Sequence, residues 1–253
     1  MYLKDLDITN FKNYPGARAG FSEKINCFTG DNGTGKTNLL DAIHYLSFCK
    51  SYFNAIDTQN IRHGEDFFAI HGNFLRNGDT SDKVSCIQKS GERKVFKLND
   101  KAYDRLADHI GAFPVVMVSP YDRDLINEGS ETRRKFIDSV ISQFDRVYLD
   151  DLINYNKALQ QRNSLLKQFW DRNFFDQGLL EIWDGQLARL GTEIYQRRNN
   201  FINRFIPIFQ RYFEFISGGK EVVTISYESH LHDEDPVLLL ARSLEKDRIL
   251  KYT

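Results

Sequence analysis

Eight consecutive residues have the types and spacing of a loop that binds phosphate. They are Gly30, Asp31, Asn32, Gly33, Thr34, Gly35, Lys36 and Thr37. The three glycines allow the backbone to turn tightly and to direct consecutive N–H groups at phosphate oxygens. Lys36 is then expected to reach the β- and γ-phosphates, and the Thr37 hydroxyl to bind Mg²⁺. The segment therefore predicts a site for ATP with Mg²⁺.

The flanking residues predict the elements that must position this loop. Residues 25–29 form an apolar run that predicts a buried strand, and residues 38–48 are apolar on most faces and predict a helix. A helix that begins at the loop directs the positive end of its dipole at the phosphates. The order of strand, glycine-rich loop and helix therefore favours nucleotide binding over an ordinary turn.

Composition bounds the class of protein. The chain has 253 residues, enough for one large domain or two smaller ones, and its 34 basic and 35 acidic side chains give no argument for a nucleic-acid partner. No apolar run approaches membrane-spanning length and the N-terminus is too charged for a secretory signal, so a cytoplasmic protein without a membrane contact is expected. Cys27, Cys49 and Cys86 lack metal-ligand spacing and are expected to be reduced structural thiols, with Cys27 on the buried strand.

The first half of the chain is rich in strand patterns. Leu6 and Ile8 alternate with acidic residues. A continuous apolar run at residues 114–120, between two prolines, predicts a strand buried on both faces. Three further segments predict antiparallel hairpins with turns at Asn77-Gly78 and Ser90-Gly91: residues 67–75, 83–89 and 94–100.

From residue 130 the hydrophobic period becomes helical. Ser130 is predicted to cap the first helix. Apolar residues then recur three and four positions apart, which predicts long antiparallel helices joined by a turn at residues 171–178. Gly218-Gly219 is predicted to end this region.

The change of period predicts two lobes. An all-helical lobe, residues 130–218, is inserted into an α/β lobe formed by residues 1–129 and 219–253. Residues 221–227 predict a strand that returns the chain to the first lobe, and Asp235-Pro236 predicts the start of a final helix.

Three segments resemble a known family. Residues 6–14 (LDITNFKNY), 30–51 and 115–167 are similar to the RecF family of bacterial DNA-repair ATPases, which are related to SMC and ABC-type ATPases. The similarity covers the whole chain, and residues 120–167 are its most specific part. The resemblance implies a P-loop ABC/SMC-type ATPase lobe interrupted by a helical lobe, in agreement with the change of period.

The resemblance also implies a function in DNA replication and repair. RecF-like proteins form an ATP-dependent homodimer that binds gapped DNA at single-strand/double-strand junctions. They work with RecO and RecR to help load the RecA recombinase, and full-length members are expected to be DNA-dependent ATPases.

Two parts of an ABC-type site are not found in the sequence. No predicted strand ends in the Asp-Glu pair of a Walker B motif, and the family's signature motif follows a segment similar to residues 245–253. The chain therefore resembles a RecF that stops before its signature. Weak ATP hydrolysis and weak ATP-driven dimerisation are expected, because the missing groups stabilise the transition state.

Other residue groups leave two interpretations open. Asn10, Lys12 and Asn13 either contact the nucleotide or form a polar strand end. His230 and His232, beside three acidic residues, form either a metal site or a hydrated loop. Seven basic residues either bind DNA phosphates or form a solvated helix face: Arg133, Arg134, Lys135, Arg197, Arg198, Arg204 and Arg211. Arg162 lies on the apolar stripe, where it is expected to pair with a carboxylate.

Two rival functions are compatible with the same residues. A nucleotide kinase also carries a phosphate-binding loop, but Asn32 before Gly33 and the long helical region favour the ABC/SMC style. The second rival is a non-catalytic module that binds only nucleotide or a partner protein, which the missing Walker B acid favours.

Overall fold

The computed structural model describes residues 1–76 and 80–253. The chain divides into two compact units, Met1–Asp122 and Arg123–Thr253, called here the sheet unit and the helical unit. None of the helices in the described part of the chain is both long and apolar enough to cross a membrane.

The sheet unit contains one six-stranded antiparallel sheet and one long helix, α1 (Lys36–Phe48). The strand order is β2-β1-β3-β4-β5-β6. The strands are β1 (Tyr2–Phe11), β2 (Tyr14–Gly20), β3 (Phe67–Leu75), β4 (Ser81–Lys89), β5 (Val95–Leu98) and β6 (Lys101–Ala102). Short 3-10 helices cover Asp57–Asn60, Leu106–His109 and Pro120–Arg123.

The core of this unit forms where α1 packs against one face of the sheet. Leu6 and Ile8 on β1 are almost fully buried, whereas Asp5 and Asp7, which alternate with them, lie on the other face, as the alternating pattern predicts. Gly72 on β3 allows the closest approach, because a Cβ there would lie 2.5 Å from Leu46 Cδ1 of α1. The helix that begins at the phosphate loop is thus fixed on the sheet by apolar burial.

The predicted hairpins are confirmed. β3, β4 and β5 pair in sequence order, and the turn at Ser90-Gly91 is present. The predicted turn at Asn77-Gly78 lies outside the described residues. β2, which the sequence patterns do not predict, contains Pro15 and lies at the edge of the sheet, where a residue without an N–H is tolerated.

Three predicted strands are wrong for the described structure. Residues 25–29, 114–120 and 221–227 belong to no strand, and Ile25, Val116 and Val222 are 83%, 85% and 92% exposed. Cys27 is correspondingly exposed rather than buried. Apolar, β-branched composition shows only that a segment suits a sheet; a strand also requires a neighbouring strand to bond with.

The helical unit contains α2 (Asp124–Asn127), α3 (Ser130–Ser142), α4 (Arg146–Asp171), α5 (Gln177–Ser217) and α6 (Pro236–Leu250). Asp145 and Asp176 cap the two long helices by accepting from Tyr148 N and Leu179 N. Ser130 is the first residue of α3 and Gly129 its N-cap, so the predicted cap is displaced by one residue. Gly218, with a φ of 63°, ends α5 as predicted.

The last segment of the chain groups with the helices. The sequence assigns residues 219–253 to the first lobe, whereas in this structure they belong to the helical unit together with residues 123–129. The reason is packing: α6 contacts α4 and α5, and buried Arg162 on α4 binds Asp184 on α5 at 2.5 Å and Asp247 on α6 at 2.6 Å. The predicted pairing of Arg162 with a carboxylate is confirmed.

Candidate nucleotide-binding site

The phosphate loop, residues 30–37, leads directly into α1. Gly30, Gly33 and Gly35 have φ angles of 144°, 83° and 107°, which residues with a Cβ rarely adopt. Gly35 is the N-cap of α1 and supplies no side chain to the first turn. The N–H groups of that turn therefore remain available to an anion.

Lys36 places its ammonium group inside the loop. Nζ donates to the carbonyl oxygens of Gly30 at 2.8 Å and Asp31 at 2.7 Å. The Thr34 hydroxyl also donates to the Asp31 carbonyl, at 2.9 Å, and closes the loop on itself. Because these Lys36 acceptors are neutral carbonyls, they leave the positive charge uncompensated for a phosphate.

The loop fits a triphosphate with its metal ion. A Cβ on Gly33 would meet no atom within 4 Å, so the loop backbone faces open space at that point. Thr37 is exposed at the second position of α1, where its hydroxyl is accessible to a bound cation. The eight residues are contiguous, and the loop backbone and the Thr37 side chain are open to solvent, as the predicted role requires.

The β1–β2 turn, Lys12 and Asn13, packs against the phosphate loop. Asn13 Nδ2 donates to the Thr34 carbonyl at 3.3 Å, and Asn13 Oδ1 accepts from Asn38 Nδ2 of α1 at 2.8 Å. The Tyr14 hydroxyl donates to the Gly35 carbonyl at 3.2 Å. The structure therefore places Asn13 beside the loop, while contact of Asn10, Lys12 and Asn13 with the nucleotide stays a prediction.

The neighbours of Asn13 have other partners and a constrained backbone. Asn10 and Lys12 have φ angles of 51° and 53°, in the left-handed region that costs a residue with a side chain roughly 1–2 kcal/mol. Asn10 Nδ2 donates to Glu65 Oε2 at 3.1 Å. Lys12 Nζ binds the fully buried Asp41 at 2.5 Å. These two residues therefore fix the turn on its surroundings.

Asp41 connects α1 to the end of the sheet unit. Its carboxylate accepts from the Ser51 hydroxyl at 2.6 Å and from the Tyr52 N–H at 2.7 Å. The Tyr52 hydroxyl donates to Asp122 at 2.6 Å. Sequence reasoning missed this network, although one signal was present: Asp41 is an acid on an apolar helix, four residues after Thr37.

Most of the basic residues considered for DNA have partners within the helical unit. Arg198 binds Asp138 at 2.8 Å, and Arg197 binds Asp151 at 2.6 Å. Lys135 pairs with Glu131 at 2.6 Å, Arg133 donates to backbone carbonyls and Arg134 donates to the Ser130 hydroxyl. Arg197 and Arg198 are partly buried by these contacts, whereas Arg133, Arg134 and Lys135 stay exposed, as do Arg204 and Arg211. For these five exposed residues the interpretation as a DNA-binding surface stays a prediction.

His232 links α5 to the segment that precedes α6. The Tyr195 hydroxyl lies 2.7 Å from His232 Nδ1, and His232 Nε2 lies 2.6 Å from the Tyr227 carbonyl. Asp235 caps α6 and Glu234 binds Arg242 at 2.9 Å. Among the described residues no group of three acidic, histidine or cysteine side chains could hold a metal ion.

A family model for the AAA ATPase domain matches residues 1–177. The curated relatives include the DNA replication and repair protein RecF of Flavobacterium johnsoniae, 50% identical over 253 residues. That alignment covers the whole of this chain and 70% of the relative. RecF of Bacteroides thetaiotaomicron is 48% identical, with 68% of its length covered.

A solved structure of the recombination mediator protein RecF with ATP superposes with a TM-score of 0.89 at 32% identity. The superposition covers all of this chain and 69% of that structure. The predicted fold class, an α/β ATPase with a long helical segment, is confirmed. With identity, coverage and fold in agreement, the chain belongs to the RecF family of DNA replication and repair proteins.

Proposed function

We propose that this chain binds ATP with Mg²⁺ through residues 30–37. The observation that carries the proposal is the phosphate loop itself: three glycines with positive φ, an N-terminus of α1 without a side-chain cap, and an ammonium group whose described partners are carbonyls. Lys36 would exchange those carbonyls for β- and γ-phosphate oxygens. The Thr37 hydroxyl would bind the Mg²⁺, which neutralises phosphate charge.

The likeness to RecF supports this assignment. A RecF structure that superposes over the whole chain is a complex with ATP, at 32% identity. Burial of α1 in the sheet unit keeps the loop residues in place before the nucleotide arrives, so little conformational entropy is lost on binding.

The wider function proposed is that of the family. A full-length protein would act in the cytoplasm at single-strand/double-strand junctions in gapped DNA as an ATP-dependent homodimer, whereas this chain alone would hydrolyse ATP and dimerise only weakly. RecO and RecR would be its partners, and assistance to RecA loading its purpose. The RecF relatives and the RecFOR pathway to which the similar solved structure belongs support this proposal.

Titration with a fluorescent ATP analogue tests the nucleotide site. We expect Lys36→Ala to weaken binding at least about tenfold, because a charge-assisted contact contributes roughly 1.5–3 kcal/mol. Lys101→Ala, which removes an exposed lysine from β6, is the matched control and should bind like the parent. Equal affinity of Lys36→Ala and the parent would reject the assignment.

The DNA proposal has its own measurement. Fluorescence anisotropy with labelled gapped and blunt duplexes, with and without ATP, should show tighter binding to the gapped duplex. Equal affinity for both duplexes under all conditions would reject junction recognition while leaving the nucleotide site intact.

A further inference from the structure

The hydrogen bonds of the β1–β2 turn determine which way two peptide groups of the phosphate loop face. In a planar trans peptide, the C=O and the following N–H point in opposite directions. Asn13 Nδ2 holds the Thr34 carbonyl at 3.3 Å, and the Tyr14 hydroxyl holds the Gly35 carbonyl at 3.2 Å. The N–H groups of Gly35 and Lys36 must therefore point away from the turn.

The side chain of Asn13 is suited to this task because it donates and accepts at once. Its amide nitrogen binds the loop, while Oδ1 accepts from Asn38 Nδ2 at 2.8 Å and so ties the same side chain to α1. An aspartate would keep the acceptor for Asn38 but lose the donor to Thr34. A carboxylate would also place negative charge beside the site for phosphate.

Close packing adds a second, independent constraint. A Cβ on Gly35 would lie 2.7 Å from Asn13 Nδ2 and 3.0 Å from the Tyr14 hydroxyl. The turn therefore touches the loop backbone itself, at the residue that ends the loop and begins α1. Lys12 keeps the turn in this position through its 2.5 Å ion pair with buried Asp41.

We propose that Asn13 is a positioning residue of the phosphate loop, which orients the Gly35 N–H toward phosphate by holding the Thr34 carbonyl, with Tyr14 acting in the same way on the next peptide group. The inference rests on the proposed ATP site. Asn13 acts through the loop and needs no contact with the nucleotide. Because its side chain is exposed, its hydrogen bonds contribute little to folding, and its effect is on the geometry of the site.

The test compares nucleotide binding by Asn13→Ala, Asn13→Asp and Tyr14→Phe. We expect Asn13→Ala to weaken binding of the fluorescent ATP analogue about three- to tenfold, the range of one hydrogen bond. Asn13→Asp should weaken it further, and Tyr14→Phe by no more than about threefold. Asn26→Ala is the matched control, since this exposed asparagine makes its hydrogen bonds only with Ser22 in the described residues.

A spectroscopic measurement separates positioning from general destabilisation. In ¹⁵N-labelled protein without nucleotide, Asn13→Ala should shift the Gly35 amide resonance, while the urea midpoint of unfolding stays within error of the parent. Parent-like affinity in Asn13→Ala, or an equal loss in Asn26→Ala, would overturn the inference. If Lys36→Ala also bound normally, the ATP site itself would fail; weak binding by Lys36→Ala alone would reject only the role of Asn13.

Discussion

Two cations, one from each unit, have opposite surroundings. In the helical unit, Arg162 is fully buried and binds two carboxylates, those of Asp184 and Asp247. In the sheet unit, the ammonium of Lys36 donates to two backbone carbonyls. The first cation is neutralised by acids of its own fold, whereas the partners described for the second carry no net charge.

This difference distinguishes a cation that holds the fold from one that binds a ligand. Release of Arg162 would leave two carboxylates without a counter-charge in a buried place, which is costly. Release of Lys36 would leave only carbonyl groups, whose lone pairs water can satisfy. Loss of the cation's partners therefore costs little free energy at the phosphate loop and much more free energy between the long helices.

The largest expected effect comes from breaking the arginine cluster. Arg162→Leu should lower the free energy of unfolding of the helical unit by about 3–5 kcal/mol, because Asp184 and Asp247 lose their counter-charge. Urea unfolding followed by tryptophan fluorescence measures this, since both tryptophans, Trp170 and Trp183, lie in this unit.

The double variant Arg162→Leu with Asp247→Leu sharpens the same comparison. Removing one of the two carboxylates that have lost their counter-charge should restore part of the lost stability. ATP affinity should stay unchanged in the single variant if the folded protein is tested. If Arg162→Leu lowers the free energy of unfolding by less than about 1 kcal/mol, the ion pairs of Arg162 do not stabilise the fold.

A smaller effect is expected at the phosphate loop. Gly35→Ala combines a φ of 107° with a Cβ 2.7 Å from Asn13 Nδ2, so the analogue should bind about tenfold more weakly or worse. Gly33→Ala carries only the strain of φ at 83°, with no atom within 4 Å, and should lose less. The reverse order of the two variants would contradict the described packing of the turn on the loop.

The smallest expected effect is a pH dependence of stability, which arises from His109, a residue buried in the sheet unit. Burial lowers the pKa of His109, despite a hydrogen bond of 2.6 Å to the Leu46 carbonyl. The unfolded chain, with a pKa of 6.5, binds more protons below that pH. The stabilisation by neutral His109 is thus complete above pH 6.5 and declines as the pH falls below it.

Hydrogen exchange of β3 and β4 at pH 7 and pH 5.5 measures this decline. The parent should lose up to about 1.4 kcal/mol of protection from this group between the two values. His109→Phe, which keeps an aromatic ring among its neighbours, should lose less. His44 and His71 also have pKa values lowered by burial, so part of the decline should persist in the variant. An equal decline in both proteins would contradict the role of His109.

The features that the sequence predicts well are those determined by residues close together in the chain. The glycine spacing of the phosphate loop, the period of α4 and α5, and the cap at Asp235 each depend on interactions within a few residues of chain. The apolar runs at residues 25–29, 114–120 and 221–227 fail as predicted strands because a strand needs a neighbouring strand, and that neighbour comes from another part of the chain.

The candidate site shows the same division. The residues proposed to bind phosphate are contiguous, so their types and spacing identify them as candidates. Asn13 and Tyr14 reach the loop only because β1 and β2 form a hairpin beside it, and Asp41 meets Lys12 across 29 residues of chain. The sequence pattern alone does not show that these residues, which are far apart in the chain, lie close together in space.

The β1–β2 turn has a consequence for changes of chain length. Surface turns ordinarily tolerate inserted residues, because few contacts depend on them. Here only two residues join the strands, Lys12 facing buried Asp41 and Asn13 facing the phosphate loop. One inserted residue would separate these two contacts or shift the pairing of Phe11 with Tyr14. An inserted residue in this exposed turn should therefore disrupt the structure as much as an insertion in a core strand.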